Sequence, residues 1–149
     1  MKFANSVKVK VFSHEGETDS KILESFIELL PLNIEKNKIE LKKTQATGFN
    51  EKKIKIYEIT LTKESHTRQF IENFLEKLWK HKKEILLEQR ESRLDQDLDF
   101  FIRIDKEKWI EGKEMLLTDS GNCFHIKIGI AAFPRKREIA MKIVEKMLE

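Results

Sequence analysis

Three aspartates at alternate positions, Asp95, Asp97 and Asp99 in DQDLD, come closest to a catalytic pattern in this chain. On an extended segment such carboxylates share one side and could hold Mg²⁺ for phosphodiester hydrolysis, with Asp97 and Asp99 as the leading ligands. Mg²⁺ sites usually draw one or two carboxylates from separate elements, so a polar connection entering a strand is the competing reading. Cys123 and His125 form a C-x-H pair, and no second pair has zinc spacing. The glycines are scattered singly, which leaves no phosphate-cradling loop, and His14, His66 and His81 sit in unrelated contexts. The sequence therefore implies no cofactor and no resident metal, and a Mg²⁺-dependent nuclease is the minor alternative.

A second pattern concerns binding. Arg135, Lys136 and Arg137 follow Pro134 where a helical pattern begins. The first turn of a helix is the positive end of its dipole and normally favours acidic residues. Cations there oppose local stability unless an anion docks against the helix's unpaired N–H groups.

The elements that position these residues follow from periodicity. Val7, Val9 and Val11 alternate with Lys8, Lys10 and Phe12, which predicts a strand with one buried face. A helix follows, with Ile22, Leu23, Phe26, Ile27 and Leu30 on its stripe, and stops at Pro31. Ile39 to Gln45 and Lys53 to Leu61 predict a hairpin turning at Gly48. Ile54 and Ile56 are out of phase with Ile59 and Leu61, so a bulge is expected near Tyr57 or Glu58. Glu64 to about Leu94 is helical, with an interruption at KHKK (Lys80 to Lys83). Leu98, Phe100, Ile102 and Ile104 form one face of a fourth strand, and Phe124 to Ala132 supplies a fifth. Pro134 is expected at the first position of a closing helix, whose stripe is Ile139, Ala140, Ile143, Val144, Met147 and Leu148.

This order predicts a single α+β domain over residues 1–149. Two layers are expected, a mostly antiparallel five-stranded sheet with helices packed on one face and the other face open. The chain has 149 residues, 40% of them hydrophobic and 37% charged, enough apolar content for a real core. Its richness in lysine, glutamate and isoleucine matches a hot-living source. One cysteine and no long apolar run fit a reducing, cytoplasmic location without membrane attachment.

Pleating assigns Lys8, Lys10 and Phe12 to the open face, together with Lys38, Glu40, Lys42, Lys53 and Lys55 from the hairpin. The fourth strand adds Asp99, Phe101, Arg103 and Asp105, and the last His125, Lys127, Gly129, Ala131 and Phe133. Cations outnumber acids there, and rings lie among them, a composition suited to phosphates and bases. Alternating strands in a lysine-rich chain produce the same pattern without a partner, and edge lysines also deter strand pairing. Phe12, Phe101 and Phe133 equally suit a position under a loop or a homodimer contact.

LDQDLDFFIRIDKEKWIEG and HIKIGIAAFPRKREIAMKIVEKML resemble the C-terminal half of an archaeal family of RNA-binding, exosome-associated proteins. The Ile130 to Glu138 join is the most specific element. VKVKVFSHEGETDSKILESFIELLP and FIENFLEKL extend the likeness over nearly the whole chain. The resemblance implies a fold similar to the large-subunit ribosomal protein that contacts 5S RNA, with likeness to double-stranded RNA binding domains. It implies structured or double-stranded RNA as the partner, exosome components as further partners, and no catalysis. Relatives carry a glycine- and histidine-containing hairpin loop, whereas this chain has ATGFNEKK (Ala46 to Lys53). The residues expected to bind RNA are Lys8, Lys10, Lys53, Lys55, Arg103 and Lys127 on the sheet and Arg135, Lys136 and Arg137 at the last helix. The alternative is a protein-interaction subunit of an RNA-processing assembly with little RNA contact of its own.

Overall fold

The computed structural model describes residues 1–78 and 80–149; Trp79 and the side chains of Lys80 and His81, the latter two within KHKK, lie outside the described residues. The chain runs β1 (Ala4–His14), α1 (Asp19–Leu29), β2 (Lys42–Thr47), β3 (Lys53–Leu61), α2 (Glu64–Lys77), α3 (Lys80–Glu88) and α4 (Arg90–Arg93). It continues with β4 (Asp99–Asp105), α5 (Lys106–Gly112), β5 (Cys123–Ile130) and α6 (Arg137–Met147). The strands form one sheet in the order β2-β3-β1-β5-β4, and every pairing is antiparallel. This is the α+β sheet-and-helix arrangement the periodicity predicts.

The buried face follows the alternation. Val7, Val9 and Val11 of β1 lie opposite Ile128, Ile126 and Phe124 of β5, and these in turn face Phe100, Ile102 and Ile104 of β4. All nine side chains are at most 1% exposed. Phe26 of α1, Phe70 and Phe74 of α2, Leu86 of α3 and Val144 of α6 pack against them as the helical layer. Local rules end the elements. Leu30, placed before Pro31, is extended rather than helical and closes α1. The Asp105 carboxylate accepts the Lys108 N–H at 2.9 Å and caps α5, which stops at left-handed Lys113.

Several expectations need correction. Ile27 is exposed, and Leu29 takes the buried place instead. β2 begins at Lys42 rather than Ile39, because a turn closed by the Ile39 N–H to the Ile34 carbonyl (2.8 Å) holds residues 34–39; Lys38 and Glu40 therefore belong to no strand. The break in the long helical region falls at Leu78, just ahead of KHKK. No bulge interrupts β3: its register with β1 is continuous from Leu61 to Ile54, and the bulge lies at Ala4/Ser6. The consequence is a change of side. Tyr57, Ile59 and Leu61 face the helices, so Lys53 and Lys55 share that side, while Ile54 and Ile56 reach the open face beside His14 and Phe12. Finally, Pro134 does not start the last helix. It follows a cis Phe133–Pro134 bond, and α6 begins at Arg137 with Lys136 as its extended N-cap.

Candidate nucleic-acid interface

The strands place their second set of side chains on the face away from the helices. Lys8 and Lys10 of β1 lie opposite Lys127 and His125 of β5, and these lie opposite Phe101 and Arg103 of β4. All six are partly exposed. On the other flank Lys10 lies opposite Glu58, Phe12 opposite Ile56, and Lys42 of β2 opposite Glu58. The uncovered face thus carries a band of cations across β1, β5 and the edge strand β4, with the Phe12 and Phe101 rings set into it.

Weak internal pairing tempers that charge. Lys8 approaches Glu58 at 3.9 Å and Lys127 approaches Asp99 at 3.4 Å, with the two ammonium-bearing side chains 39% and 42% exposed. The carboxylates are the more enclosed partners, 19% and 17% exposed, and with the ammonium ends in solvent each pair contributes on the order of 1 kcal/mol. Gly129 makes room for the second pair: a Cβ there would lie 2.7 Å from Ser6 Oγ and 3.3 Å from Asp99 Oδ1. Lys10 Nζ sits 5.4 Å from the Phe12 ring centroid. His125 meets the same ring edge-on at 5.6 Å, with its Nε2 enclosed and without a hydrogen-bond partner. Burial, then the charges of Arg103 and Lys10, push His125 below the ordinary histidine value of 6.5.

At the β4 edge the face deepens into a cleft of about 350 Å³ lined by Gln89, Ser92, Arg93, Phe101, Arg103 and Asp119. Arg93 donates to the Phe101 carbonyl at 3.1 Å and Arg103 to the Asp119 carbonyl at 3.0 Å, so two guanidinium groups are fixed in the lining of one cleft. Arg93 escapes a sequence reading because the short helix α4 carries it; only its position four residues after Gln89, whose side chain accepts from it, hints at a fixed rotamer.

Of the nine residues expected to bind RNA, Lys8, Lys10, Arg103 and Lys127 are brought together here. Lys53 and Lys55 are not. They lie on the helix side past the start of α1, where Lys55 pairs with Asp19 at 3.7 Å and the Lys53 N–H donates to Glu15 at 3.3 Å. Asp19 also accepts the Tyr57 hydroxyl at 2.6 Å; burial and then that carboxylate push Tyr57 up to about 12. Arg135, Lys136 and Arg137 form a separate corner. Arg137 donates to the carbonyls of Leu94 (2.8 Å) and Glu91 (2.7 Å), and Arg135 to that of Asp97 (3.2 Å). Two of the three opening cations therefore fasten α6 to the connection between α4 and β4, which offsets their poor fit to the helix dipole. Lys136 is exposed at the N-cap.

The aspartate triplet is also a connector. Asp95 Oδ1 accepts the N–H groups of Asp97 and Asp99, each at 2.9 Å, and shapes the turn into β4. The three carboxylates lie within 4.8 Å of one another, with Asp99 engaged by Lys127. Among the described residues, no helix is long and apolar enough to cross a membrane.

Known proteins resemble this chain over nearly its whole length. The chain is 29% identical over 146 residues to the RNA-binding protein PAB1135 of Pyrococcus abyssi, covering 98% of this chain and 94% of the relative. It also resembles the crystal structure of protein AF2318 from Archaeoglobus fulgidus, at a TM-score of 0.84 and 28% identity over 97% of this chain and 99% of that one. The structure of Mth689 from Methanothermobacter thermautotrophicus shares the fold at a TM-score of 0.76 and 24% identity, with 99% of each chain covered. A family model described as RNA binding matches residues 6–130, and on that match the chain belongs to this RNA-binding family.

Proposed function

We propose that the protein holds structured RNA on the open face of its sheet, mainly through phosphate and shape. Lys8, Lys10, Arg103 and Lys127 contact phosphates, Arg93 and Arg103 flank a backbone turn in the edge cleft, and Phe12 and Phe101 lie against bases or sugars. The observation that supports this most is the placement of those four cations on adjacent strands, on the face away from the described helices, with only Lys8 and Lys127 in carboxylate pairs and their ammonium groups still open to solvent. Exosome association is the family expectation that such a binder would serve. A protein-docking role draws on Phe133, 94% exposed beside the basic corner; its mark is co-purification with exosome components by a domain that binds no RNA alone.

A salt titration tests the proposal. With about four phosphates neutralised, log affinity should fall against log salt with a slope of about 3 to 4 between roughly 50 and 200 mM. Affinity that is flat over that range contradicts it.

Acidity gives an independent check through His125. Its folded value is depressed, so its contribution to stability is complete above about 6.5 and is lost as pH falls below that toward the lower folded value. A phosphate over Lys10 and Arg103 removes the repulsion that opposes the imidazolium. RNA binding then takes up a proton, and affinity rises a few-fold from about pH 7.5 to about pH 5.5. His125→Gln should flatten that rise in fluorescence anisotropy, and an unchanged pH profile in the variant would remove His125 from the interface.

A further inference from the structure

The β2–β3 hairpin is chemically unlike the rest of the chain. Residues 42–55 hold five lysines and one glutamate, a net charge of +4. The whole chain has 29 basic and 26 acidic residues, so everything outside the hairpin is 24 against 25, close to neutral. All six residues of β2 are exposed, on both faces of this edge strand. At the tip stands Phe49, 90% exposed. The tip is a closed structure: the Gly48 N–H donates to the Lys52 carbonyl at 2.7 Å, and Asn50 and Glu51 are both left-handed, with φ of 61° and 59°. Holding two non-glycine residues in that region costs free energy, which a solvent-filled turn would ordinarily avoid.

Lysines on an edge strand deter unwanted pairing, and that accounts for Lys42 and Lys43. It does not account for Phe49, since an exposed ring at a sheet corner invites the association the lysines discourage. An aromatic ring on a fixed turn, with Lys52 and Lys53 following it in the returning chain, suits an unstacked base whose neighbouring phosphate meets those lysines. A regular duplex offers no such base; a bulge or loop does.

We infer that the hairpin tip is a second RNA contact, which stacks Phe49 on an unpaired nucleotide and so selects duplexes interrupted by a bulge or loop. This rests on the RNA-binding reading of the sheet face and adds the feature of the RNA that is selected. Because Phe49 contributes nothing to the core, Phe49→Ala should fold as the parent does.

The test uses the full chain and two fluorescein-labelled RNA stems of about 16 base pairs, one perfect and one with a single bulged nucleotide. The parent protein should prefer the bulged stem. Phe49→Ala should lose about 5- to 100-fold in affinity for it and little for the perfect stem, while Phe49→Trp keeps the preference. Equal affinities of Phe49→Ala and the parent for the bulged stem overturn this inference alone, provided binding still depends on Lys8, Lys10 and Lys127. A parent protein that binds neither stem overturns the sheet-face reading and this one with it.

Discussion

Replacing Lys8, Lys10 and Lys127 together with alanine should lower RNA affinity about 100-fold at about 0.15 M salt and reduce the salt slope by about 2 to 3. Each phosphate neutralised on RNA releases about 0.7 to 0.9 of a condensed cation. At that salt concentration, one lost contact corresponds to roughly a 4- to 6-fold loss of affinity, and three compound to about two orders of magnitude. The fold should survive. The three side chains are partly exposed, and the pairs with Glu58 and Asp99 that vanish are worth about 0–1 kcal/mol each. The control is a matched loss of charge on the helical layer, Lys21, Lys77 and Lys146 to alanine, all exposed on α1, α2 and α6. If the two triple variants weaken binding equally, net charge rather than the sheet face is responsible.

The second large effect concerns stability. Lys106 is only 2% exposed, although it carries a charge. Its Nζ donates to the Phe12 carbonyl at 2.5 Å and to Glu17 Oε1 at 2.8 Å, which ties the end of β4 to the end of β1 and the turn into α1. Glu17 in turn accepts the His14 N–H at 2.9 Å. Burial alone would raise the Glu17 carboxyl, but the hydrogen bonds from Lys106 and His14 and the nearby positive charge outweigh it and lower the value. Lys106→Met keeps the volume and removes the charge. Breaking a buried pair by one partner costs about 3–5 kcal/mol; Glu17 is 34% exposed and can regain water, so about 2–3 kcal/mol is expected. For a chain of this length that corresponds to a fall in Tm of roughly 4–12 °C. A carboxyl with a depressed folded value stabilises above its ordinary value of 4.5 and stops doing so as pH falls through the folded one. The gap between parent and variant in urea unfolding should therefore narrow below about pH 4.5. A variant as stable as the parent at neutral pH would show that the pair adds nothing beyond its own desolvation.

How much of this was legible in the sequence depends on how far each residue's role is local. The alternation in β1, β4 and β5 and the stripe of α6 name the core correctly, since one face of each element is dry along its whole length. β3 misleads because its environment changes part-way along. From Tyr57 to Leu61 one side of it lies buried under the helices, whereas before Tyr57 that side is exposed and Ile54 and Ile56 lie beside Phe12 on the open face. A pattern of apolar residues records burial, and here burial switches faces without a bulge. That switch moved Lys53 and Lys55 off the expected site. Arg135 and Arg137 were legible as anomalous cations but not as clasps, because the carbonyls they hold lie about 40 positions earlier and become neighbours only in the fold. Arg93 and Phe49 carry no periodic signal; each acquires meaning from a neighbour, the β4 edge in one case and an uncovered hairpin in the other.

The central claim is that RNA rests on the uncovered side of the sheet. Ultraviolet crosslinking of the parent protein to a structured RNA, with mass-spectrometric location of the adducts, tests it most directly. Adducts should concentrate on peptides containing Phe12, Phe101 and His125, with a separate cluster at Phe49 when the RNA carries an unpaired base. Adducts confined to α1, α2 and α6, with the sheet peptides unmodified, would contradict it.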